Sequence, residues 1–572
     1  MQSNEKQITG YPSIDKPWLK YYSEEACNAV MPDKTLFQYI YENNKEHKHD
    51  IALNYFGRKI TYGKLFENIE KVAKSFQKLG VKEGDIVTIM SMHTPEVIYC
   101  IYALNRLGAV ANMVYMTLSE KEILDNLKRT NSKILVVLSI AIDRIFKVKN
   151  ELSLDAIIVV SPADSMKLVM GLGYKIKTKQ KKMFEYMTFK EFMSLGNKVE
   201  RVCEVEYNRN TPAIIVYTSG STGQPKGVML SNYNLNAVAY QYKISGMEFN
   251  RKDTFLNIMP PFVGFGITIG MNLPLALGLE EIVWILPDKN KVAEGFVKYK
   301  PKHFVLGPAF LDGIMQKEGI DLSFLITFAG GGEEISIEKE NALNKYLASH
   351  GANVKYVTGY GMTEFGATVC TGMNHVYKER TLGIPLPAVT VKIVNTETNE
   401  ELMYTKVGEI CINAPNTMLG YFKNAKDTME IIRVHNDGKT WLHTGDLGMV
   451  DEEGFVHYKG RIKRIYLTNG DDEIVYKLFP MRVEEVFMKH PEVDACATVS
   501  IPDIKRINVL VSYIILKEGA KNIVPDLEEF ARSELPRYSV PVSIFILDKL
   551  PTTQSGKVDY KRLEQRAIEA CK

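Results

Sequence analysis

Paired cysteines are missing from this chain. Cys27, Cys100, Cys203, Cys370, Cys411, Cys496 and Cys571 are scattered, with no CxxC pair and no histidine spacing suited to zinc. That excludes a disulfide framework and a structural zinc module, and reads as free thiols in a reducing compartment. Net charge is scarce as well: 71 Lys and Arg against 68 Asp and Glu leave +3. Such a balance is too small for a dedicated nucleic-acid binder, so no nucleic-acid partner is expected. Long apolar runs are also absent. The opening MQSNEKQITGYPS has no apolar core for a signal peptide, and no run is long enough to span a bilayer. A cytoplasmic protein is the expectation.

What the chain does have is length. At 572 residues, with 45% hydrophobic and 24% charged side chains, it is a globular protein too long for one ordinary core, and two or more domains follow. The first fifty residues are polar and dotted with aromatics. After Thr61-Tyr62 the pattern becomes regular. Leu65, Phe66, Ile69, Val72, Ala73, Phe76 and Leu79 recur at helical spacing, and Gly80 supplies a stop. Asp85 to Met90 reads as a strand, Thr94-Pro95 as a helix start, and Ala109 to Val114 as another strand. Ser119 and Glu122 have capping-box spacing; Ile134–Leu138 and Ile157–Val160 are short β-branched runs. Strands alternating with helices imply parallel sheets covered on both faces. The last hundred residues read as a compact α+β domain, with strands at Ala495 to Ile501, Val509 to Leu516 and Val542 to Leu547 and a helix from Asp526 to Leu535.

Met166 to Met187 breaks this regularity. Six lysines (Lys167, Lys175, Lys177, Lys179, Lys181 and Lys182) crowd around Leu168, Val169, Met170, Leu172 and Tyr174. Such a mixture can make weak contact with an anionic membrane surface, or be a solvated surface hairpin.

The most informative stretch is Tyr217 to Gly227, YTSGSTGQPKG, which closes an apolar run from Ala213 that reads as a buried strand. Glycines let backbone N–H groups approach an anion, and hydroxyls and Lys226 add donors, so a phosphate cradle is one reading. A flexible surface loop is the other. It is not the common NTPase P-loop, because Lys226 follows Pro225 and no Ser or Thr comes next.

This stretch closely resembles the signature loop of the adenylate-forming enzymes: acyl- and aryl-CoA ligases, luciferases and adenylation domains of peptide synthetases. Further stretches resemble that family's motifs in the same order, over roughly residues 60 to 565. The resemblance implies that Thr218, Ser219, Gly220, Ser221, Thr222, Gly223 and Lys226 hold the β- and γ-phosphates of ATP. Met259 to Gly266 resembles the segment lining the acid pocket, which points to Phe262, Val263 and Gly264. Val263 stands where amino-acid-activating members carry an Asp for the substrate's ammonium group; an apolar wall there would penalise an ammonium by several kcal/mol, roughly. A fatty or aryl acid is implied instead. The His that many CoA ligases show in this segment is lacking.

Ala329-Gly330-Gly331-Gly332-Glu333 resembles the glycine-rich turn near the adenine, with Gly330 toward the acid pocket and Gly331 toward the nucleotide. Glycines there also suit a tight turn. In Tyr360-Gly361-Met362-Thr363-Glu364 the resemblance places Tyr360 and Gly361 at the nucleotide, the Thr363 hydroxyl at the α-phosphate and Glu364 on Mg²⁺. Trp441 to Asp446 resembles the motif whose Asp446 accepts from both ribose hydroxyls. Arg461 falls where an arginine contacts the nucleotide, and Lys463 where a hinge rotates the small domain. Pro551 to Asp559 resembles the terminal motif whose lysine, here Lys557, bridges substrate carboxylate and α-phosphate. One departure concerns Thr468 to Pro480, which is lengthened and acidic where a short glycine loop faces the thiol donor; the donor, CoA or a carrier protein's pantetheine, stays open.

The expected architecture is therefore α/β. A large N-terminal domain of parallel and mixed sheets covered by helices (residues 1–460) binds nucleotide and carboxylate, and a small mobile α+β domain (461–572) acts as a lid. The implied activity is an AMP-forming acid–thiol ligase, closest to acyl-CoA synthetases of fatty acid metabolism, using ATP, Mg²⁺ and CoA. A stand-alone enzyme loading a carrier protein is a second reading. An inactive nucleotide-binding scaffold is the third, and the retained Glu364, Asp446 and Lys557 argue against it.

Overall fold

Ile86–Met90, Ile134–Leu138 and Ala156–Val160 are β-branched runs. In the computed structural model they lie side by side as parallel strands, with Val87 opposite Ile134 and Ile134 opposite Ala156. The structure describes residues 8–178, 186–218, 225–284, 288–331, 335, 337–464, 466–469, 475–520, 524–553 and 557–571. Contacts divide the chain into two units. The larger comprises Met1–Val391, Ile412–Leu442 and Asp451–Val456; the smaller comprises Lys392–Cys411, His443–Val450 and His457–Lys572. All seven cysteines are free thiols.

The larger unit holds two sheets. One runs Gly420–Tyr421, Lys226–Ser231, Pro212–Thr218, Val110–Met113, Ile86–Met90, Ile134–Leu138, Ala156–Val160, Met187–Thr188. It is parallel except at the Lys226–Ser231 and Gly420–Tyr421 end. The other runs Ile384–Pro385, Thr368–Thr371, Tyr356–Gly361, Thr327–Gly331, His303–Leu306, Thr254–Asn257, Glu280–Val283, Ile51–Tyr55, Arg58–Thr61. Its six central strands are parallel. Strands buried on both faces explain why these runs are continuously apolar. Phe296, Phe304, Phe328 and Tyr356, all fully buried, pack together against the second sheet.

Local signals explain the helices. Tyr62–Lys78 starts at Thr61, whose hydroxyl accepts from Lys64 N at 3.2 Å, buries Leu65, Ile69, Val72 and Phe76, and ends before Gly80 at φ +87°. The Ser119–Glu122 capping box is formed in both directions. Two readings need correction. Lys226-Gly227 is not the tail of a loop: it opens a strand whose Lys226 pairs with Thr218 across a hairpin, because the alternating Val228 and Leu230 give it a face to bury. The next helix is Asn232–Ile244, with Ser231 as its cap. And Leu168–Thr178 is a helix, not a hairpin.

The smaller unit carries a three-stranded sheet of Val493–Asp503, Ile507–Leu516 and Ser543–Ile546. Side chains of Ile507–Leu516 alternate between two cores: Leu510 and Ile514 meet Phe487 and Leu527, while Val509, Val511 and Tyr513 meet Leu563 and Ala567. Tyr466–Asn469 and Val475–Leu478 form a separate antiparallel hairpin within the lengthened acidic stretch, Asn469 opposite Val475. Residues 470–474 of that stretch lie outside the described residues.

Candidate active site

The hairpin that ends at Thr218 and resumes at Lys226 sets the first part of the site. Ser219, Gly220, Ser221, Thr222 and Gly223 lie outside the described residues. Gly227 follows Lys226 because an added Cβ would meet Ile215 and Tyr217 at 3.1 and 3.2 Å. Lys226 Nζ lies 2.5 Å from Asp427 Oδ2, with both side chains largely buried, and 4.9 Å over the Tyr421 ring. Tyr421 is brought there by strand Gly420–Tyr421, paired with Val228. Asp427 stands in the first turn of helix Ala425–Ile431, capped by Asn424. The hydrogen bond and charge of Lys226 hold the Asp427 carboxyl below its ordinary range.

After strand Tyr356–Gly361 the chain turns tightly through Thr363, Glu364 and Phe365. Glu364 is 6% exposed. Its Oε1 accepts a hydrogen bond from the Tyr421 hydroxyl at 2.7 Å. Burial, then the Glu364 charge, pushes the Tyr421 phenol up, so it stays a donor. Glu364 Oε2 accepts from no described residue, and a buried carboxylate with one oxygen tethered and one unused fits a hard divalent cation. Thr363 sits beside it, half-buried.

Gly264 reaches this turn directly. An added Cβ on Gly264 would come 2.4 Å from the Gly366 carbonyl oxygen. Thr268 donates its hydroxyl to Gly264 O at 2.9 Å and lies 3.1 Å from Gly366 O. Phe262 is buried against Tyr115, ring centroids 4.5 Å apart, while Val263 is half-buried. Behind them His93 Nε2 is 3.3 Å from Gly266 O, and burial lowers this imidazole to about 4, so it is neutral. Asn257 fixes the approach to the segment: it accepts from Met259 N at 3.0 Å and donates to Glu281 Oε1 at 2.7 Å. Glu281 is fully buried, and that burial pushes its carboxyl up to about 8.

Gly330 and Gly331 lie inside strand Thr327–Gly331, opposite Thr358 and Gly359. Packing alone demands glycine at both: a Cβ would meet the Tyr356 hydroxyl at 1.9 Å from position 330, and Gly359 O at 2.5 Å from position 331. Gly332 and Glu333 lie outside the described residues. Gly361 is likewise pressed on the Ala367 carbonyl, and Tyr360 is buried.

In the smaller unit Asp446 is 1% exposed on strand Thr440–Val450, and its Oδ1 is 2.9 Å from Nε of Arg461, whose side chain is half exposed. Glu409 braces this motif, accepting from Gly445 N at 3.0 Å and meeting His443 Nδ1 at 2.8 Å, which gives His443 a structural post. Lys463 lies in a short turn, Ile462–Arg464. The next arginine, Arg464, stacks over Tyr560 at 3.9 Å and bonds Glu484 at 2.7 Å. Lys557 is exposed, its carbonyl accepting from Thr553 N at 2.7 Å in a turn closed by the Thr552–Val558 bridge.

Residues 40–422 match the family described as AMP-binding enzyme, and residues 482–557 match the AMP-binding enzyme C-terminal domain. The chain belongs to the AMP-binding enzyme family. It is similar to a long-chain-fatty-acid–CoA ligase of Bacillus subtilis (strain 168), at 27% identity over 97% of this chain and 98% of that one. A 4-coumarate–CoA ligase of Arabidopsis thaliana is 25% identical over 93% and 92%. Among solved structures, ATP-bound MatB from Rhodopseudomonas palustris shares the fold with a TM-score of 0.80, at 20% identity over 94% of this chain and 100% of that one. The architecture is that of the adenylate-forming enzymes, a large sheet-bearing N-terminal part and a smaller C-terminal one.

In this AMP-binding enzyme four residues absent from the motif reading stand at the site: His93, Tyr115, Tyr421 and Asp427. Asn424 and Asp427 have helix-cap spacing, which marks a helix start and says nothing of Lys226. Tyr421 sits in a two-residue strand, too short for any periodic signal.

Proposed function

We propose that this chain is an acid–CoA ligase that activates an apolar carboxylic acid, fatty or aryl, through an acyl-adenylate. Relatives named for long-chain fatty acids and for 4-coumarate, at full-length coverage, support the class. The observation that carries it is the buried cluster of Lys226, Tyr421 and Glu364 beside the Phe262–Gly264 wall. In the first step a carboxylate oxygen of the acid attacks the α-phosphorus of ATP and pyrophosphate leaves. In the second, the thiol sulfur of CoA attacks the acyl carbon, AMP leaves, and the thiol proton passes to solvent or base.

The protein's part is positioning and charge. Thr218 and Lys226, with Ser219 to Gly223, hold the β- and γ-phosphates, Lys226 exchanging Asp427 for phosphate oxygens. Glu364, oriented by Tyr421, would hold Mg²⁺, which when bound neutralises phosphate oxygens; Thr363 donates to the α-phosphate. Tyr360, Gly361 and Gly331 flank the base, and Asp446 with Arg461 takes the ribose. Phe262, Val263, Gly264 and Gly330 bound the acid, and Lys557 supplies the cation for carboxylate and phosphoryl oxygens. Lys463 is the hinge of a small domain that we take to begin at residue 461. ATP–pyrophosphate exchange across acids of graded length, followed by thioester formation with CoA, tests the reading. Stronger exchange with any α-amino acid, or thioester formed only on a pantetheinylated carrier, would overturn it.

A further inference from the structure

Helix Leu168–Thr178 turns large apolar side chains to water: Leu168 is 77% exposed, Val169 84% and Leu172 53%. These values are those of side chains with no core to join. The helix is held to its unit by its other side. Gly171 is buried, and an added Cβ there would come 3.1 Å from the Ala163 carbonyl oxygen. Tyr174 is half-buried. At about 100° per residue, Leu168, Val169 and Leu172 share one arc, with Tyr174 opposite its centre and Gly171 beside Leu168, while Met170, 45% exposed, lies off the arc. The chain carries lysine at positions 167, 175, 177, 179, 181 and 182 along and beyond this helix. From Lys167 to Thr178 there is no Asp or Glu.

We propose that this helix docks the protein on the surface of a lipid bilayer bearing anionic headgroups. The apolar arc enters the boundary between headgroups and acyl chains, and the lysines of this stretch supply the attraction to lipid phosphates. Charge decides for lipid over a second copy: two such lysine-rich stretches would repel each other, with no Asp or Glu from Lys167 to Thr178 to pair them. The purpose rests on the proposed function, since an apolar acid concentrates in bilayers, so docking would place the enzyme at its substrate's reservoir.

The test sediments the full chain, without acid or ATP, with vesicles of phosphatidylcholine alone and of phosphatidylcholine mixed equally with phosphatidylglycerol. Binding to the mixed vesicles is expected, weakened by salt. Leu168→Ser with Leu172→Ser should reduce it at least about tenfold, with an unchanged melting temperature because both side chains are exposed. Lys175→Glu with Lys177→Glu should abolish the preference for phosphatidylglycerol. No binding, equal binding to both vesicles, or full binding by the leucine variant would each overturn the proposal. So would a lipid-free dimer that the leucine variant dissolves, which would assign the arc to a second copy. Pyrophosphate exchange with a short water-soluble acid should survive in every variant; if exchange fails while vesicles still bind, the ligase reading falls and the docking stands.

Discussion

The hydroxyl of Tyr421 is 2.7 Å from Oε1 of Glu364, and the ring of the same tyrosine lies 4.9 Å beneath Nζ of Lys226. One side chain thus touches both Lys226 and the buried carboxylate of Glu364. Tyr421→Phe keeps the ring and removes the tether. We expect the Mg²⁺ concentration for half-maximal exchange to rise about tenfold, the worth of one hydrogen bond to a charged group, ~1.5 kcal/mol. The KM for the acid should stay unchanged. A titration of Mn²⁺ binding to the ATP complex gives a readout independent of turnover, and unaltered metal affinity would assign Tyr421 to packing alone.

Glu364→Gln retains shape and loses charge. Loss of an interaction of about 3 kcal/mol would slow adenylate formation roughly a hundredfold. Near-normal rates at limiting Mg²⁺ would refute the assignment.

On the proposed role of Lys226, Asp427 would compete with ATP for it. Its Oδ2 lies 2.5 Å from Nζ, so phosphate must displace a carboxylate already in place. Asp427→Asn should tighten ATP binding by about fivefold, since a partly exposed ion pair is weak. Calorimetric titration with a non-hydrolysable ATP analogue measures it; weaker binding would show that Asp427 orients the lysine rather than competing with phosphate.

Glu281 makes stability depend on pH. Burial raises its carboxyl from 4.5 to about 8 in the folded chain, so folding takes up a proton between those values. The stabilisation is complete below pH 4.5, declines as pH rises, and is lost above about 8. Glu96, pushed up to about 7 by the same cause, acts with the same sign. Glu281→Gln should flatten the decline between pH 5 and 8 by about 1 kcal/mol per pH unit, read from urea midpoints. An unchanged slope would mean that the carboxyl is ionised when folded.

Lys557→Ala removes a point charge proposed to face the carboxylate and α-phosphate. Pyrophosphate exchange should fall about a hundredfold, while thioester formation from supplied acyl-AMP stays within a factor of about two. Equal losses in both assays would make this lysine structural.

The helices and strands named in the sequence were legible because their signals are local. Thr94 and Ser119 cap where the sequence places a helix start, and the apolar runs at Ile134 and Ala156 have the length of buried strands. Motif positions were legible through short fixed spacings. Relations between distant segments were not: nothing near Asp427 in the chain announces Lys226, 201 positions away (427 − 226). Gly330 and Gly331 suggested room for a flat ligand, yet the Tyr356 hydroxyl and the Gly359 carbonyl already require both. Strand-to-strand crowding of that kind depends on register, which no single segment encodes.

The contact between Gly264 and Gly366 bears on how substrate scope can be re-engineered. The segment proposed to bound the acid and the turn carrying Glu364 touch there through bare backbone, leaving no room even for a methyl group. On the proposed roles, library mutagenesis at Gly264 would disturb the Glu364 turn together with the pocket, and altered selectivity would arrive coupled to lost turnover. Val263 and Tyr115 are free of that constraint, and a search for variants accepting bulkier or smaller acids belongs at those two positions.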